Sequence, residues 1–201
     1  PETARQVYSL GEDSRDWKIK LAQDDITSSP IDSEKVVKIL YRPFDVMYTY
    51  YTGKSRGFIC MPRREIMQHL LQENLALITV RQVAEETFNH SFVSESLVEC
   101  RVTLSNKGYG YLFPLYLHYN DAQDTFHEKI SNINEVISSK VKQLYDKTIS
   151  SPITDLDIFS YIYAVLFSNR YRKKFSEFLK IDFPRIPFVK SYNNFVQLSK
   201  V

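Results

Sequence analysis

Cysteine is scarce in this chain, with only Cys60 and Cys100 among 201 residues, and the two sit in no CxxC or Cys/His ligand spacing. That excludes a disulfide framework and a recognisable zinc site, and it points to a reduced, cytoplasmic setting. No apolar run approaches the ~18 residues of a membrane span, and no basic-then-apolar leader opens the chain, so neither membrane insertion nor secretion is expected. The four histidines, His69, His90, His118 and His127, show no HExxH or other metal spacing, and no Ser/His/Asp order stands out. Asp24-Asp25 and Glu85-Glu86 lie in polar stretches and read as solvated pairs rather than as a general acid and base. Internal repeats and low-complexity tracts are absent. Excess charge is absent too: 26 basic against 24 acidic residues leave a net charge of +2, so any surface for a polyanion must be local.

What the chain does have is aromatics, 14% of all residues, within a composition (43% hydrophobic, 25% charged) that suits a soluble globular protein. Its length allows one large domain or two small ones, burying about 70% of the unfolded surface. The opening PETARQ without a methionine, together with the lack of any complete catalytic motif, leads us to expect a piece of a longer polypeptide.

Residues before Pro30 read as a loop-rich beginning with one or two short strands, anchored by Trp17. Lys35 to Leu40 is a short apolar segment broken at Arg42-Pro43, because a residue before proline is pushed out of the helical region. Val46 to Thr52 is β-branched and aromatic, and Gly53 to Gly57 supplies a turn before Phe58, which predicts a hairpin. Pro62 at a helix start, with Ile66, Met67, Leu70 and Leu71 at helical spacing, predicts an amphipathic helix down to Glu73. Its first turn would carry Arg63 and Arg64 against the dipole, a conflict that Glu65 partly offsets and a bound phosphate relieves.

Asn74 to Gln82 reads as a buried strand with a polar tip at Arg81 and Gln82. Phe92 to Thr103 offers further strand material, and Pro114 argues that the run Tyr109 to Tyr119 is an edge strand or holds a bulge, rather than lying at the sheet centre. After Asp121, Phe126, Ile130, Ile133, Ile137, Val141 and Leu144 trace one helix face, and Thr154 with Asp157 forms a capping box for the next helix. A third helix, Tyr171 to Leu179, is stopped before Pro184 and Pro187. The predicted class is α+β: a mainly antiparallel sheet in residues 1–120, with amphipathic helices gathered in residues 121–201 and packed on it as one continuous module.

The stretch Leu40 to Phe58, followed by PRREIMQHLL, interleaves Tyr41, Phe44, Tyr48, Tyr50, Tyr51 and Phe58 with Arg42, Lys54, Arg56, Arg63 and Arg64. Cations neutralise phosphates while flat rings and guanidinium planes meet bases, so this mixture suits nucleic-acid contact; the alternative is ordinary strand and core aromatics beside a solvated charged face. Thr52-Gly53-Lys54-Ser55 imitates the end of a P-loop, but Tyr48 stands where the earlier glycine belongs and Arg56-Gly57-Phe58 stands where a helix should start, so a turn is the better reading. Arg170, Arg172, Lys173 and Lys174 read as the wet face of an amphipathic helix, in preference to a phosphate-binding role. Arg42 and Asp45 are placed to pair across a tight turn.

Eight blocks in order, among them SRDWKIKLAQDDI (Ser14 to Ile26), YRPFDVMYTYYTGKSRGF (Tyr41 to Phe58), NLALITVRQ (Asn74 to Gln82), GYLFPLYL (Gly110 to Leu117) and YRKKFSEFLKIDFPRIP (Tyr171 to Pro187), resemble the C-terminal target-recognition region of type ISP and related single-polypeptide restriction-modification enzymes. The resemblance implies a DNA-reading module, itself without catalysis, of a bacterial enzyme that methylates adenine N6 and cleaves unmodified DNA. It implies double-stranded DNA as partner, alongside the methyltransferase and nuclease domains of the same polypeptide. No cofactor is expected in residues 1–201; S-adenosylmethionine is implied for the parent, with magnesium and ATP as further candidates. In keeping with this, the chain has no (Asn/Asp)-Pro-Pro-(Tyr/Phe) pocket and no glycine-rich methyl-donor loop.

Three departures from the pattern stand out: Met47 and Met61, where a basic residue is expected, and a shortened spacing from Asn106 to Gly110. The expected DNA-binding residues are Arg42, Lys54, Arg56, Arg63 and Arg64 on the backbone, with Arg81, Gln82, Asn106 and Lys107 nearer the bases, since Arg suits guanine and Gln or Asn suits adenine. The alternative is a protein-interaction domain that docks the catalytic domains through its aromatic surface.

Overall fold

A computed structural model describes residues 1–14, 16–28, 30–83, 87–103, 108–120, 127–145 and 152–200. Strands dominate the first part and helices the second, the expected α+β layout. Strand β3, Ala76–Val80, is the wall between them. Its five residues ALITV are all buried, as a continuous apolar run requires when both faces are covered. Ala76 and Ile78 pack toward the hairpin side, whereas Leu77 packs into the helical core. Antiparallel neighbours flank it, β4 (Phe92–Ser94) on one edge and β6 (Gly110–Pro114) on the other. Pro114 ends that edge strand, where its missing N–H costs no ladder bond.

The hairpin is displaced from its expected place. Strands β1 (Val36–Arg42) and β2 (Asp45–Tyr50) pair antiparallel around Pro43-Phe44, so the break foreseen at Arg42-Pro43 is the turn itself. The segment Gly53 to Gly57 is instead part of a loop. A short strand β5, Leu97–Val98, adds to β1 in parallel, the one exception to an otherwise antiparallel set among the described residues. Strands β7 (Tyr116–Asn120) and β8 (His127–Ser131) form a separate ribbon. His127 to Ser131 was expected within a helix; the apolar period there is satisfied by pairing with β7, and the helix begins only at Glu135, after Asn134 has accepted the amide of Val136. Phe126 lies outside the described residues.

The beginning of the chain is helical rather than stranded. Helix α1 spans Glu2–Val7 and α2 spans Ile19–Thr27, where Ile19, Ala22 and Asp25 recur at three-residue spacing and are buried. The helix expected from Pro62 to Glu73 shrinks to α3, Arg64–Met67, and a 3-10 turn, Gln68–Leu70.

The helical part holds the largest core, sixteen buried residues around Tyr145, Tyr161 and Phe195. It is built from α4 (Glu135–Tyr145), α5 (Asp155–Phe167), α6 (Asn169–Lys174), α7 (Ser176–Leu179) and α8 (Tyr192–Ser199). Helix α5 opens with the foreseen capping box, Thr154 accepting from the amide of Asp157 while Asp157 accepts from that of Thr154. The single third helix is split into α6 and α7 at Phe175, and α8 was not foreseen.

Pro184 and Pro187 leave an extended segment whose carbonyls have no helical partner, and three buried tyrosines supply donors to alternate residues along it. Tyr171 Oη donates to the Arg185 carbonyl (2.8 Å), Tyr161 Oη to that of Pro187 (2.7 Å), and Tyr145 Oη to that of Val189. Burial holds all three phenols in the neutral, donating form by raising their pKa, that of Tyr145 to about 12.

Candidate nucleic-acid interface

From Thr52 to Arg64 the chain carries four basic side chains, Lys54, Arg56, Arg63 and Arg64, and no acidic one. A loop of that length would ordinarily be loose, but this one is pinned at several points. Tyr51, the last residue before it, donates its amide to the Lys35 carbonyl and its hydroxyl to that of Pro62 (3.0 Å), bringing the two ends of the loop together. Trp17 Nε1 donates to the Phe58 carbonyl (3.0 Å), the anchoring role expected of it, and Cys60 Sγ donates to the Asp16 carbonyl. Arg56 donates its amide to the Cys60 carbonyl, closing an inner turn.

At the base sits Asp25, 2% exposed, which accepts from Thr52 Oγ1 (2.7 Å) and from the Phe58 amide (2.8 Å). Its neighbour Asp24 is the solvated member of the pair; Asp25 corrects that expectation, because its helix turns it under the loop. Glu85-Glu86 lies outside the described residues.

Two of the loop's cations carry backbone strain. Arg56 (φ +56°) and Arg63 (φ +48°) occupy the left-handed region, where a Cβ crowds the following carbonyl and glycine is the easy choice. Gly53 takes the same region without cost, and the stem of Arg64 lies across it. Because α3 is four residues long and begins at a left-handed Arg63, it presents no developed dipole, and the expected conflict between that dipole and the paired arginines does not arise.

The cations divide into two groups. Arg56, Arg63 and Arg64 are exposed and have no carboxylate partner among the described residues, while Lys54 Nζ lies 3.9 Å from Asp25 Oδ1. Arg42 is elsewhere, at the far end of β1, about 20 Å along the strand from the residues that adjoin the loop. It is ion-paired with Glu99 (2.8 Å) rather than with Asp45, although Asp45 is its cross-strand neighbour, and it stacks on Tyr41. Arg81 and Gln82 leave the far end of β3 and are exposed; Arg81 Nε lies 3.5 Å from Asp182. Val80 pairs with Gly110, whose amide donates to the Cys100 carbonyl beside Glu99, so Arg81 and Arg42 belong to one end of the sheets. Asn106 and Lys107 lie outside the described residues.

Sequence reasoning missed Asp25 and also misread Arg172. That arginine is buried, donating to the Leu166 carbonyl and Asn89 Oδ1 and lying over Phe88 and Phe167, while Arg170, Lys173 and Lys174 form the wet face alone. Burial lowers its pKa. The signal for Arg172 was its position next to Tyr171, on the apolar stripe rather than opposite it. Of the aromatics expected to take part in contacts, Phe44, at the turn with φ +64°, is 93% exposed, and Tyr41 and Tyr48 are exposed along β1 and β2 with Val46 and Met47, whereas Tyr50 and Phe58 are half-buried against each other and Tyr51 is buried.

The profile of the Type ISP C-terminal specificity domain matches residues 1–201. The chain belongs to this family. No curated protein sequence matches it. Among solved structures, a cryo-EM structure of a DrdV–DNA complex matches with a TM-score of 0.70 and 23% identity, covering 100% of this chain and 18% of that one. The ATP-dependent Type ISP restriction-modification enzyme LlaBIII bound to DNA matches with a TM-score of 0.66 and 21% identity over 92% of this chain and 12% of that one. A nuclease-deletion mutant of the Type ISP enzyme LlaGI in complex with a DNA substrate mimic gives 0.58 and 22% over 86% and 14%. These likenesses establish a shared fold, and this Type ISP specificity domain spans less than a fifth of the length of the chains it resembles. Among the described residues no helix is long and apolar enough to cross a membrane, and no cluster of three or more His, Cys, Asp or Glu could hold a metal ion.

Proposed function

We propose that this specificity domain reads the target sequence in duplex DNA, and that the loop Thr52 to Arg64 is its principal contact. The observation that carries the reading is a hydrogen-bonded loop with four cations, three of them without a carboxylate partner among the described residues, two of which hold a backbone conformation that arginine disfavours. Residues kept in such conformations tend to be wanted for their side chains. Arg56 and Arg63 then face bases or phosphates, and Lys54 and Arg64 fix the backbone. Arg42, Arg81, Gln82, Asn106 and Lys107 form a second contact region at the other end of the sheets, where Arg42 and Arg81 exchange carboxylate partners for DNA.

The enzyme that carries the domain methylates adenine N6 with S-adenosylmethionine and cleaves unmodified DNA using ATP and magnesium, its chemistry residing in domains other than this one. ATP dependence is stated for the relative LlaBIII. On this reading the domain works in the bacterial cytoplasm and binds duplex DNA weakly on its own, with a Kd of about 10⁻⁴ to 10⁻⁶ M and a steep salt dependence.

A second reading, docking of the catalytic domains, is favoured by the exposed hairpin aromatics around Phe44. Fluorescence anisotropy with Arg63 and Arg64 both replaced by Ala separates the two. The first reading expects affinity to fall and the slope of log K against log salt to drop by about 1 for Arg64, or about 2 where Arg63 also meets a phosphate, with unchanged melting. No DNA binding even at low salt, or weaker domain docking with DNA affinity intact, overturns it in favour of the second.

A further inference from the structure

We infer that Asp25 is a positioning residue for target recognition: a buried carboxylate that sets the basic loop in the conformation that discriminates sequence. This rests on the reading of that loop as the DNA contact. Three features set Asp25 apart from an ordinary buried acid. It touches the loop at both flanks of the Lys54–Arg56 turn, through Thr52 Oγ1 on one side and the Phe58 amide on the other, so one side chain fixes the span of the turn. Thr52 Oγ1 in turn accepts from the Lys54 amide (3.2 Å), extending the hold to the residue that begins the turn.

The approach at Gly57 is so close that a Cβ there would overlap Asp25 Oδ2, which is why residue 57 must be glycine although its φ is unremarkable. Finally, among the described residues Asp25 makes the only carboxylate ion-pair contact with the loop's cations, and it reaches only Lys54, at the long distance of 3.9 Å. It therefore shapes the loop without cancelling the charge of Arg56, Arg63 or Arg64. A carboxylate accepts from hydroxyl and amide more strongly than any neutral group, and a buried one has no water to substitute for a lost partner.

Phosphate attraction needs only that cations be present near the duplex, whereas base reading needs each guanidinium in one place. Freeing the loop should therefore erode discrimination and leave non-specific binding intact. The test uses the full-length protein, a target duplex that it selects from a random-sequence pool, and a scrambled duplex of the same composition, each titrated across a salt series, with melting followed in parallel. Asp25→Asn keeps shape but not charge, Gly57→Ala keeps charge but wedges the pair apart, and Thr52→Val removes one hydroxyl.

We expect Asp25→Asn and Gly57→Ala to lower the target-to-scrambled affinity ratio by about tenfold, and Thr52→Val by less, with scrambled-duplex affinity and its salt slope unchanged. Arg56→Ala and Arg63→Ala serve as controls. If those arginine variants collapse the ratio while Asp25→Asn and Gly57→Ala lower only the melting temperature, Asp25 is a structural residue and the inference fails. If the arginine variants leave the ratio unchanged as well, the reading of the loop itself fails. Should Asp25→Asn or Gly57→Ala not fold, Thr52→Val decides, since an unchanged ratio in it overturns the inference.

Discussion

The two sides of β3 solve different problems. On the helical side sixteen buried residues pack around stacked aromatics, with Tyr161 against Phe188 (5.1 Å) and Phe195 (4.9 Å), and no described residue after Arg63 takes a left-handed backbone. On the hairpin side the cores are small, four buried residues each, and the loop above them is held by polar anchors, Asp25, Trp17 and the Tyr51 hydroxyl, rather than by apolar bulk. Among the described residues, left-handed backbone is confined to the part of the chain where the core is thinnest. The larger apolar core lies on one side, and the polar anchors of the basic loop lie on the other.

That contrast is open to attack, and the largest effect should come from the helical side. Tyr161→Ala removes a fully buried ring and leaves the Pro187 carbonyl without its donor, and we expect a loss of about 3–5 kcal/mol in urea or thermal unfolding. A loss below about 1 kcal/mol would show that the stacked aromatics are not the main support. Replacing Arg56 or Arg63 by Ala should cost about 1–3 kcal/mol in target binding while moving stability by less than about 0.5 kcal/mol. If unfolding shifts more than binding, the loop cations are structural.

Alkaline titration sharpens the comparison next, because buried phenols lie on both sides: Tyr51 under the loop and Tyr145 in the helical core are each raised to about 12, chiefly by burial. A phenol whose pKa is higher folded than unfolded contributes stability that is complete below pH 10, its unfolded value, and is lost as pH rises toward 12. The expected slope is up to about 1.4 kcal/mol per pH unit for each tyrosine, and Tyr51→Phe should remove one share of it. A flat stability profile between pH 10 and 12 would contradict this.

Smaller still, Thr154→Ala should cost about 1 kcal/mol by deleting the capping box of α5, measurable as a lowered melting temperature. The smallest effect has the opposite sign. Arg56→Gly should leave stability unchanged or raise it by up to about 1 kcal/mol, because glycine relieves the left-handed strain, even as target binding falls. A clear loss of stability would mean that the guanidinium, rather than function, secures that conformation.

Much of this arrangement was legible in the sequence where a local rule suffices. The β3 run ALITV, the Thr154/Asp157 capping box, the anchoring of Trp17, the proline stop before Pro184 and the cation content of the loop all follow from composition, period or dihedral restriction within a few residues. Misreadings came where two solutions satisfy the same local pattern. The apolar residues from Ile130 onward fit a helix or a ribbon, and the choice depended on β7 being available as a partner. Glycines at Gly53 and Gly57 suggested a hairpin turn, but one serves a left-handed position under Arg64 and the other a close approach to Asp25, thirty-two residues away.

The sequence by itself determined the fold class, the family and the chemical character of the Lys54–Arg64 loop, because these depend on residue type and short-range spacing. Tertiary structure alone decided which cations remain free. Arg42 meets Glu99 and Arg81 meets Asp182 across long sequence separations, Arg172 is drawn under Phe167, and Asp25 is turned from a solvated neighbour of Asp24 into the support of the basic loop. The reason is physical: charge is a property of a residue, but its pairing and solvation belong to whatever folding brings within a few ångströms.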